Sequence, residues 1–458
     1  MSDVHDFGAV GDGRNDDTEA LQHAINDGDG GLVFPPGDYV ISQPLKVDLQ
    51  HCGPFSLHGQ GGAAKLIMIG IGPAISLLGT HEKTADPSGF RPSQWRRERM
   101  PTIEGLAIEG RNSEADGVRI EGVMQPILRG VQIRQTRNAV HLAKRSRNIV
   151  IEGCQIYHNT GVGVYFDQAN LHQAIISHSH ISYCRRGGIR IEASEVRNLQ
   201  ITGNDIEYNN ARSHPDFEDE PTAEIYIDSG ETGSIREGTI SGNTIQATAS
   251  PHGANIRLIG AKQENRRVGM WTICGNLIGS QTTNVHLTST RGVVLSGNCF
   301  YNGQSLNVLA ERSQNLVLSG NCFGHNPDYK PNHQSVGVRL EDCQDCNLHG
   351  LTLEDLHGEP LPEGPPRSAL LELVRCRRMN LTGLQLLDGF PYGAHLHDCE
   401  QVLLSNGIIS DRRQPRRMKA AVKWTGKGMG NRIVGGIWEA GLEKTLEVEE
   451  TAGVKVDG

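Results

Sequence analysis

One short phrase recurs along this chain: an aliphatic residue, a small or polar one, glycine, two variable positions and a second apolar residue. It reads IEGLAI from Ile103, LRGVQI from Leu128, IEGCQI from Ile151, ISHSHI from Ile176 and ITGNDI from Ile201. It continues as ISGNTI from Ile240, ICGNLI from Ile273 and LSGNCF from both Leu295 and Leu318. Looser copies start at Leu348, Leu381, Leu404 and Ile433. Most starts are 22 to 25 residues apart, with the longest interval 39. Such a period is one coil of a solenoid, and the longer intervals are coils carrying surface insertions. With 56 glycines and only 5% aromatic residues, the composition suits many tight turns with small aliphatic fillers.

Each interval also holds a strand with clean alternation, its apolar residues facing in and the others out. Copies include GVRIE from Gly117, AVHLA from Ala139, GVYFD from Gly163, GIRIE from Gly188, EIYID from Glu224, NIRLI from Asn255 and NVHLT from Asn284. No segment after the first thirty or so residues keeps a helical period. The fold expected is therefore all-β, a single-stranded right-handed parallel β-helix of about thirteen coils. Asn204, Asn243, Asn276, Asn298 and Asn321 share one slot of the phrase and predict a ladder of stacked amides. Several of the ten cysteines fall at equivalent repeat positions, so buried free thiols are expected, Cys299 and Cys322 stacking inside consecutive coils. Cys343 and Cys346 make one C-x-x-C with no second pair, a poor zinc signal.

The N-terminal stretch differs. Asp16-Asp17-Thr18 followed by EALQHAIND reads as a capped amphipathic helix, and GGLVFPPGDYVIS as strand, turn and strand. Residues 1–45 are read as a cap over the open end of the solenoid, and 46–458 as the β-helix itself. Insertions are expected at about 80–100, with Trp95, and at 209–223.

Phe7-Gly8-Ala9-Val10-Gly11-Asp12-Gly13, Asp16-Asp17-Thr18 and Pro35-Pro36-Gly37-Asp38-Tyr39 resemble the N-terminal signature of the pectate-lyase superfamily, which includes polygalacturonase-like hydrolases, polysaccharide lyases and phage tailspikes. The resemblance implies a β-helix whose substrate cleft runs along the alternating strand. It also implies assembly as a homotrimer, which is common among such relatives. It carries no catalytic residue across, because the polygalacturonase motifs are absent as sets. Arg190-Ile191-Glu192 stands where a lysine would complete one, and Pro251-His252-Gly253 lacks the leading glycine of another. Asp12, Asp16 and Asp17 are read as a turn and helix cap rather than a calcium loop, since Arg14 occupies a ligand position.

Outward positions of the alternating strand stack in columns ~4.8 Å apart. One runs Arg119, His141, Tyr165, Arg190, Tyr226, Arg257, His286; the next includes Glu121, Asp167, Glu192 and Asp228. Glu224 stands beside them, where the preceding coils have Gly163 and Gly188. Carboxylates one or two coils apart would lie ~5 to 10 Å apart, the separations used by retaining and inverting glycosidases. Asp167, Glu192, Glu224 and Asp228 are the catalytic candidates. Tyr165, Arg190, Tyr226, Arg257, His141 and His286 are the substrate-binding ones, with His214 (beside Asp216, Glu218 and Asp219) on the long insertion.

A net charge of −9 gives nucleic acid or an anionic membrane no electrostatic draw, and no apolar run approaches a membrane span. No signal peptide precedes the fold, so the chain is read as cytoplasmic, or as secreted with its signal removed. The basic run Arg412, Arg413, Arg416, Arg417 and Lys419 is expected to be a solvated loop. The leading expectation is a glycosidase acting on a poly- or oligosaccharide with paired carboxylates and no metal or other cofactor. The alternatives are a uronate lyase or epimerase using Arg, Tyr or His, with calcium as its cofactor, and a non-catalytic, tailspike-like glycan-binding β-helix.

Overall fold

The computed structural model describes residues 1–82, 90–209, 222–261, 267–326, 328, 337–355 and 368–457. The described residues divide into two compact units, one ending at Thr239 and the other starting at Ile240. Both are parallel β-solenoids. A coil consists of a two-to-five-residue short strand, the alternating strand, and a return strand that leads back to the next short strand.

Short strands mark the coils, and among the described residues each unit has eight. Thirteen of the sixteen begin within a copy of the sequence phrase and hold its second apolar residue. The other three, Asp12–Asp16, Gly37–Ile41 and Ala64–Met68, precede its first copy, so the count of thirteen coils falls short by these. The N-terminal stretch is thus already coiled: Gly31–Val33 pairs in parallel with Ser56–His58, and Gly37–Ile41 with Ala64–Met68. The expected helix forms over Thr18–Asp27 and buries Leu21, Ala24 and Ile25. Its N-terminal aspartates build turns as expected, but Asp17 at the N-cap makes no side-chain capping bond to the helix, because its carboxylate is taken by the preceding loop. Asp17 accepts from the amides of Val10 and Gly11, and Asp12 from those of Arg14 and Asn15.

The phrase has a plain physical reading. Its glycine takes the left-handed conformation that turns the return strand into the short strand, with φ of 64° at Gly105 and 61° at Gly153. His178 and Asn406 stand in the same slot and accept φ of 51° and 52° despite their side chains. Two positions before the glycine and three after it, the apolar residues point inward; Ile151, Ile156, Ile201 and Ile206 are fully buried. Each such side chain contributes ~1.5–3 kcal/mol by leaving water.

In the second unit the amide ladder is present. The Asn276 backbone amide donates to Asn298 Oδ1 at 3.0 Å, and that of Asn298 to Asn321 Oδ1 at 2.9 Å. In the first unit, Asn204 accepts from the Ser179 amide at 3.0 Å. A further column, Asn255, Asn284 and Asn307, joins its amides along the axis in the same way.

All ten cysteines are free. Cys343, Cys376 and Cys399 are buried in three consecutive coils, as the repeat suggested. Cys299 and Cys322 do sit in consecutive coils, but outside. In the three-residue strands Cys299–Tyr301 and Cys322–Gly324 only the middle residue faces in, and Phe300 and Phe323 take that place, stacked at 4.6 Å. The C-terminal basic run is ordered by carboxylates rather than merely solvated. Arg412 pairs with Asp388 and Glu354, Arg413 with Asp411, and Arg416 with Glu439.

Candidate active site

Three alternating strands of the first unit place the site: Val164–Asp167 (the start of Val164–Ser177), Ile189–Glu192 and Ala223–Asp228. Their inner residues Val164, Phe166, Ile189, Ile191, Ile225 and Ile227 are all fully buried, which pins the register. In that register Tyr165 pairs with Arg190 and Asp167 with Glu192, and then Arg190 with Tyr226 and Glu192 with Asp228. The two predicted columns are therefore real neighbours, and three carboxylates stand on three successive coils.

Glu192 is at their centre. The Tyr165 hydroxyl donates to Glu192 Oε2 at 3.0 Å, and Arg190 Nη2 donates to Oε1 at 2.8 Å. Arg190, only 6% exposed, also donates to the Arg186 carbonyl, and its guanidinium lies 4.5 Å from the centre of the Tyr226 ring. Tyr226 in turn donates to Asp228 at 3.3 Å, while the Gly230 amide fixes the other oxygen of that carboxylate at 2.8 Å. On the opposite side, His141 Nε2 meets Asp167 at 3.2 Å, and the imidazole stacks on Tyr165 at 5.4 Å. Burial, then the charges of Glu192 and Asp167, push the Tyr165 phenol above the ordinary tyrosine range.

A cleft of about 410 Å³ opens over Tyr165, Arg190 and Glu192 of this group and is lined also by Arg137, Arg185 and Arg186, with Asp167 and Asp228 flanking Glu192 in the ladder rather than lining it. A shallower hollow of about 590 Å³ shares Ser113, Thr160 and Arg185 with it and reaches Arg111, Gln135 and His158. Arg137, Arg185 and Arg186 were not singled out by sequence reasoning. The signal was there in Cys184-Arg185-Arg186-Gly187-Gly188, immediately before the alternating strand. Also missed was an aromatic stack at the turn leaving the short strand. His158, Tyr183 and Tyr208 lie ring on ring at 4.9 and 5.5 Å, each with φ of 56°.

Other predicted residues lie elsewhere. Glu224 is fully buried, and its carboxylate accepts from the Asn209 amide at 2.9 and 3.0 Å and from Asn209 Nδ2 at 2.7 Å. It holds the chain before the strand and does not face the cleft. Arg257 and His286 belong to the second unit. There Arg257 Nη1 donates to His286 Nδ1 at 2.8 Å, and His286 Nε2 meets Glu311 at 2.8 Å. His214, with Asp216, Glu218 and Asp219, lies outside the described residues. In the insertion near residue 90, Trp95 is on the short helix Pro92–Arg97, edge-on to Phe90 at 5.3 Å. Among the described residues no group of three or more His, Cys, Asp or Glu is placed to hold a metal ion.

Comparison with known proteins agrees with this architecture. Residues 94–235 match the family described as "right handed beta helix region", and residues 1–63 match "rhamnogalacturonase A/epimerase, pectate lyase-like". The chain folds as a right-handed parallel β-helix, and its first 63 residues are similar to the pectate lyase-like family. Among solved structures it is similar to the pre-mature bacteriophage phi29 gene product 12, at 14% identity and a TM-score of 0.54, covering 98% of this chain and 57% of that one. It is also similar to the Dettilon tailspike protein, at 13% identity and a TM-score of 0.51, covering 87% and 66%. The A-module of an Azotobacter vinelandii mannuronan C-5 epimerase aligns at 16% identity and a TM-score of 0.48, over 83% of this chain and 94% of that one. At these identities the likeness is one of fold. No curated protein matches the chain by sequence.

Proposed function

We propose that this β-helix is a carbohydrate-active enzyme that cleaves a glycosidic bond of a poly- or oligosaccharide lying across Tyr165, Arg190 and Glu192. One observation carries the reading: Glu192 lines the cleft, held by two donors, in register with Asp167 on one side and Asp228 on the other. The pectate-lyase-like match of residues 1–63 supports a saccharide as the ligand. Carboxylates on adjacent coils are ~5 Å apart, close to the separation in retaining glycosidases, where one attacks the anomeric carbon and the other protonates the leaving oxygen. Glu192 is assigned as nucleophile, because Tyr165 and Arg190 fix its orientation. Asp167 is assigned as proton donor, His141 beside it serving as the route by which the proton is replaced. Water then releases the sugar with its configuration retained.

A uronate lyase or epimerase is the second reading, favoured by the four arginines that line the cleft, Arg137, Arg185, Arg186 and Arg190. They would neutralise a uronate carboxylate, and calcium would be the added cofactor. The raised Tyr165 phenol weighs against a tyrosinate base and so toward hydrolysis. The test is a panel of neutral and acidic polysaccharides, followed both for new reducing ends and for the ultraviolet absorbance of an unsaturated uronate. Reducing ends without absorbance are expected, and Glu192→Gln should abolish them while leaving the melting curve intact. Absorbance from the wild type would overturn hydrolysis. Unchanged turnover in the variant would overturn the site, and silence across the panel would favour a binding protein.

A further inference from the structure

The second unit presents a pair of groups that the saccharide reading does not use. Cys299 and Cys322 are both free, both exposed, and directly paired in a parallel ladder. Their register is locked from inside by the stacked rings of Phe300 and Phe323. The two thiols therefore stand side by side on the outer surface of consecutive coils, with Leu277 before them and Thr352 after them in the same column.

We propose that Cys299 and Cys322 form a two-thiolate site for a soft monovalent metal ion of the Cu(I) class. The spacing decides between this and a disulfide. Adjacent strands lie ~4.8 Å apart, and in an exact parallel pair the two β-carbons share that separation. A disulfide requires its β-carbons at ~3.8 Å, so direct closure would pull the ladder out of shape. A metal–thiolate bond is ~2.3 Å long, so a near-linear sulfur–metal–sulfur bridge spans ~4.6 Å and fits the ladder as it stands. Thiolates are soft donors and select soft ions. Two-fold coordination also agrees with the neighbours, since neither Leu277 nor Thr352 adds an ionisable ligand. A tetrahedral zinc site would need four.

The buried cysteines 343, 376 and 399 are closed to solvent and do not compete for entry. Binding exchanges two S–H bonds for two S–Cu bonds and releases two protons. No electron is transferred.

The reduced, full-length protein would be titrated anaerobically with Cu(I) in competition with a chromophoric Cu(I) chelator, and the complex weighed by native mass spectrometry. The expected result is one ion bound with the loss of two protons, and two sulfur neighbours by X-ray absorption. Losing either thiol removes the chelate, so Cys299→Ser and Cys322→Ser should each weaken binding by about a hundredfold or more, and the double variant no further. Cys52→Ser should bind as wild type. Reversible capping of the exposed thiols on the folded wild-type protein should give the same loss, independently of any effect of substitution on folding. Retained affinity in either single variant, or a half-stoichiometric loss in each, would overturn the proposal.

Discussion

Asn298→Ala tests what holds the second unit together besides its apolar core. The Asn298 side chain is 1% exposed and uses both ends of its amide. Its Oδ1 accepts from the backbone amide and from Nδ2 of Asn276, both at 3.0 Å. Its Nδ2 donates to the Ile273 carbonyl at 3.0 Å and to Asn321 Oδ1 at 2.9 Å. After truncation Asn276 Nδ2 still has the Ile240 carbonyl, and Asn321 Oδ1 still has the Asn298 amide. The Asn276 backbone N–H is the group that loses its acceptor. One orphaned buried donor costs ~1–3 kcal/mol, and the weakened bonds around it add a fraction of ~1 kcal/mol each. The sum is about 3 kcal/mol, or a fall of roughly 6–12 °C in the melting of a unit this size. Coils of a solenoid can open locally, so amide exchange is the sharper assay. The Asn276 amide should lose most of its protection, whereas amides several coils away keep theirs. Asn298→Asp should recover part of the protection, because a carboxylate oxygen still accepts. Asn380→Ala is the control, since its contact with Asn347 is exposed and long at 3.3 Å, and it should change little. An Asn298→Ala protein that melts within a degree of wild type, with Asn276 exchange unchanged, would refute a structural role for the ladder.

Glu224→Ala should destabilise the first unit by about 3 kcal/mol, because it strips the buried acceptor from Asn209. A variant that folds normally yet loses all activity would return Glu224 to the catalytic set. Asp411 predicts an acid transition. Burial opposes its ionisation, but Arg413 and the amides of Met418 and Arg417 outweigh burial and hold its pKa at about 2. Since the unfolded carboxyl titrates near ~4, the stabilisation is full above that pH and is lost as pH falls toward 2, a change of about 2 kcal/mol. Melting curves of Asp411→Asn should lack that slope. His81 acts in a higher window: burial, then Arg145 and Arg147, lower its pKa to about 4. Its folded pKa lies below the unfolded ~6.5, so stability is full above that value and declines toward pH 4 by roughly 2–3 kcal/mol. His81→Gln should flatten that part of the profile.

The fold was legible because two independent periods agreed. The 22-to-25-residue phrase gave coils, and alternation within each interval gave a strand with one buried face. The first three coils are not legible in the phrase; before Ala64–Met68, for example, Gly62 is left-handed with φ of 85°, but Gln60 and Lys65 stand where the phrase has apolar residues. Cys299 and Cys322 recur at one position of the repeat, which fixes their column but not whether that column faces in. In a strand of three residues there is a single inward position, and phenylalanine beside each cysteine takes it. The site columns followed from alternation, which put Tyr165, Arg190, Asp167, Glu192, Tyr226 and Asp228 on one surface. Glu224 obeys the same alternation but is covered by Asn209 at the strand's beginning, a long-range contact that no local pattern encodes. The arginines at 185 and 186 and the stack of His158, Tyr183 and Tyr208 sit in turns, where no alternation tells which way a side chain faces.

Asp167 and Glu192 are 25 positions apart in the chain, Glu192 and Asp228 are 36 apart, and both pairs meet in the same register. The ladder is thus indifferent to how much polypeptide is spliced between one coil and the next. For protein engineering, the register between Glu192 and Asp228 depends on the strands on either side and not on the length of chain between them. The same indifference lets mutation lengthen or replace the walls of a cleft without renegotiating its floor.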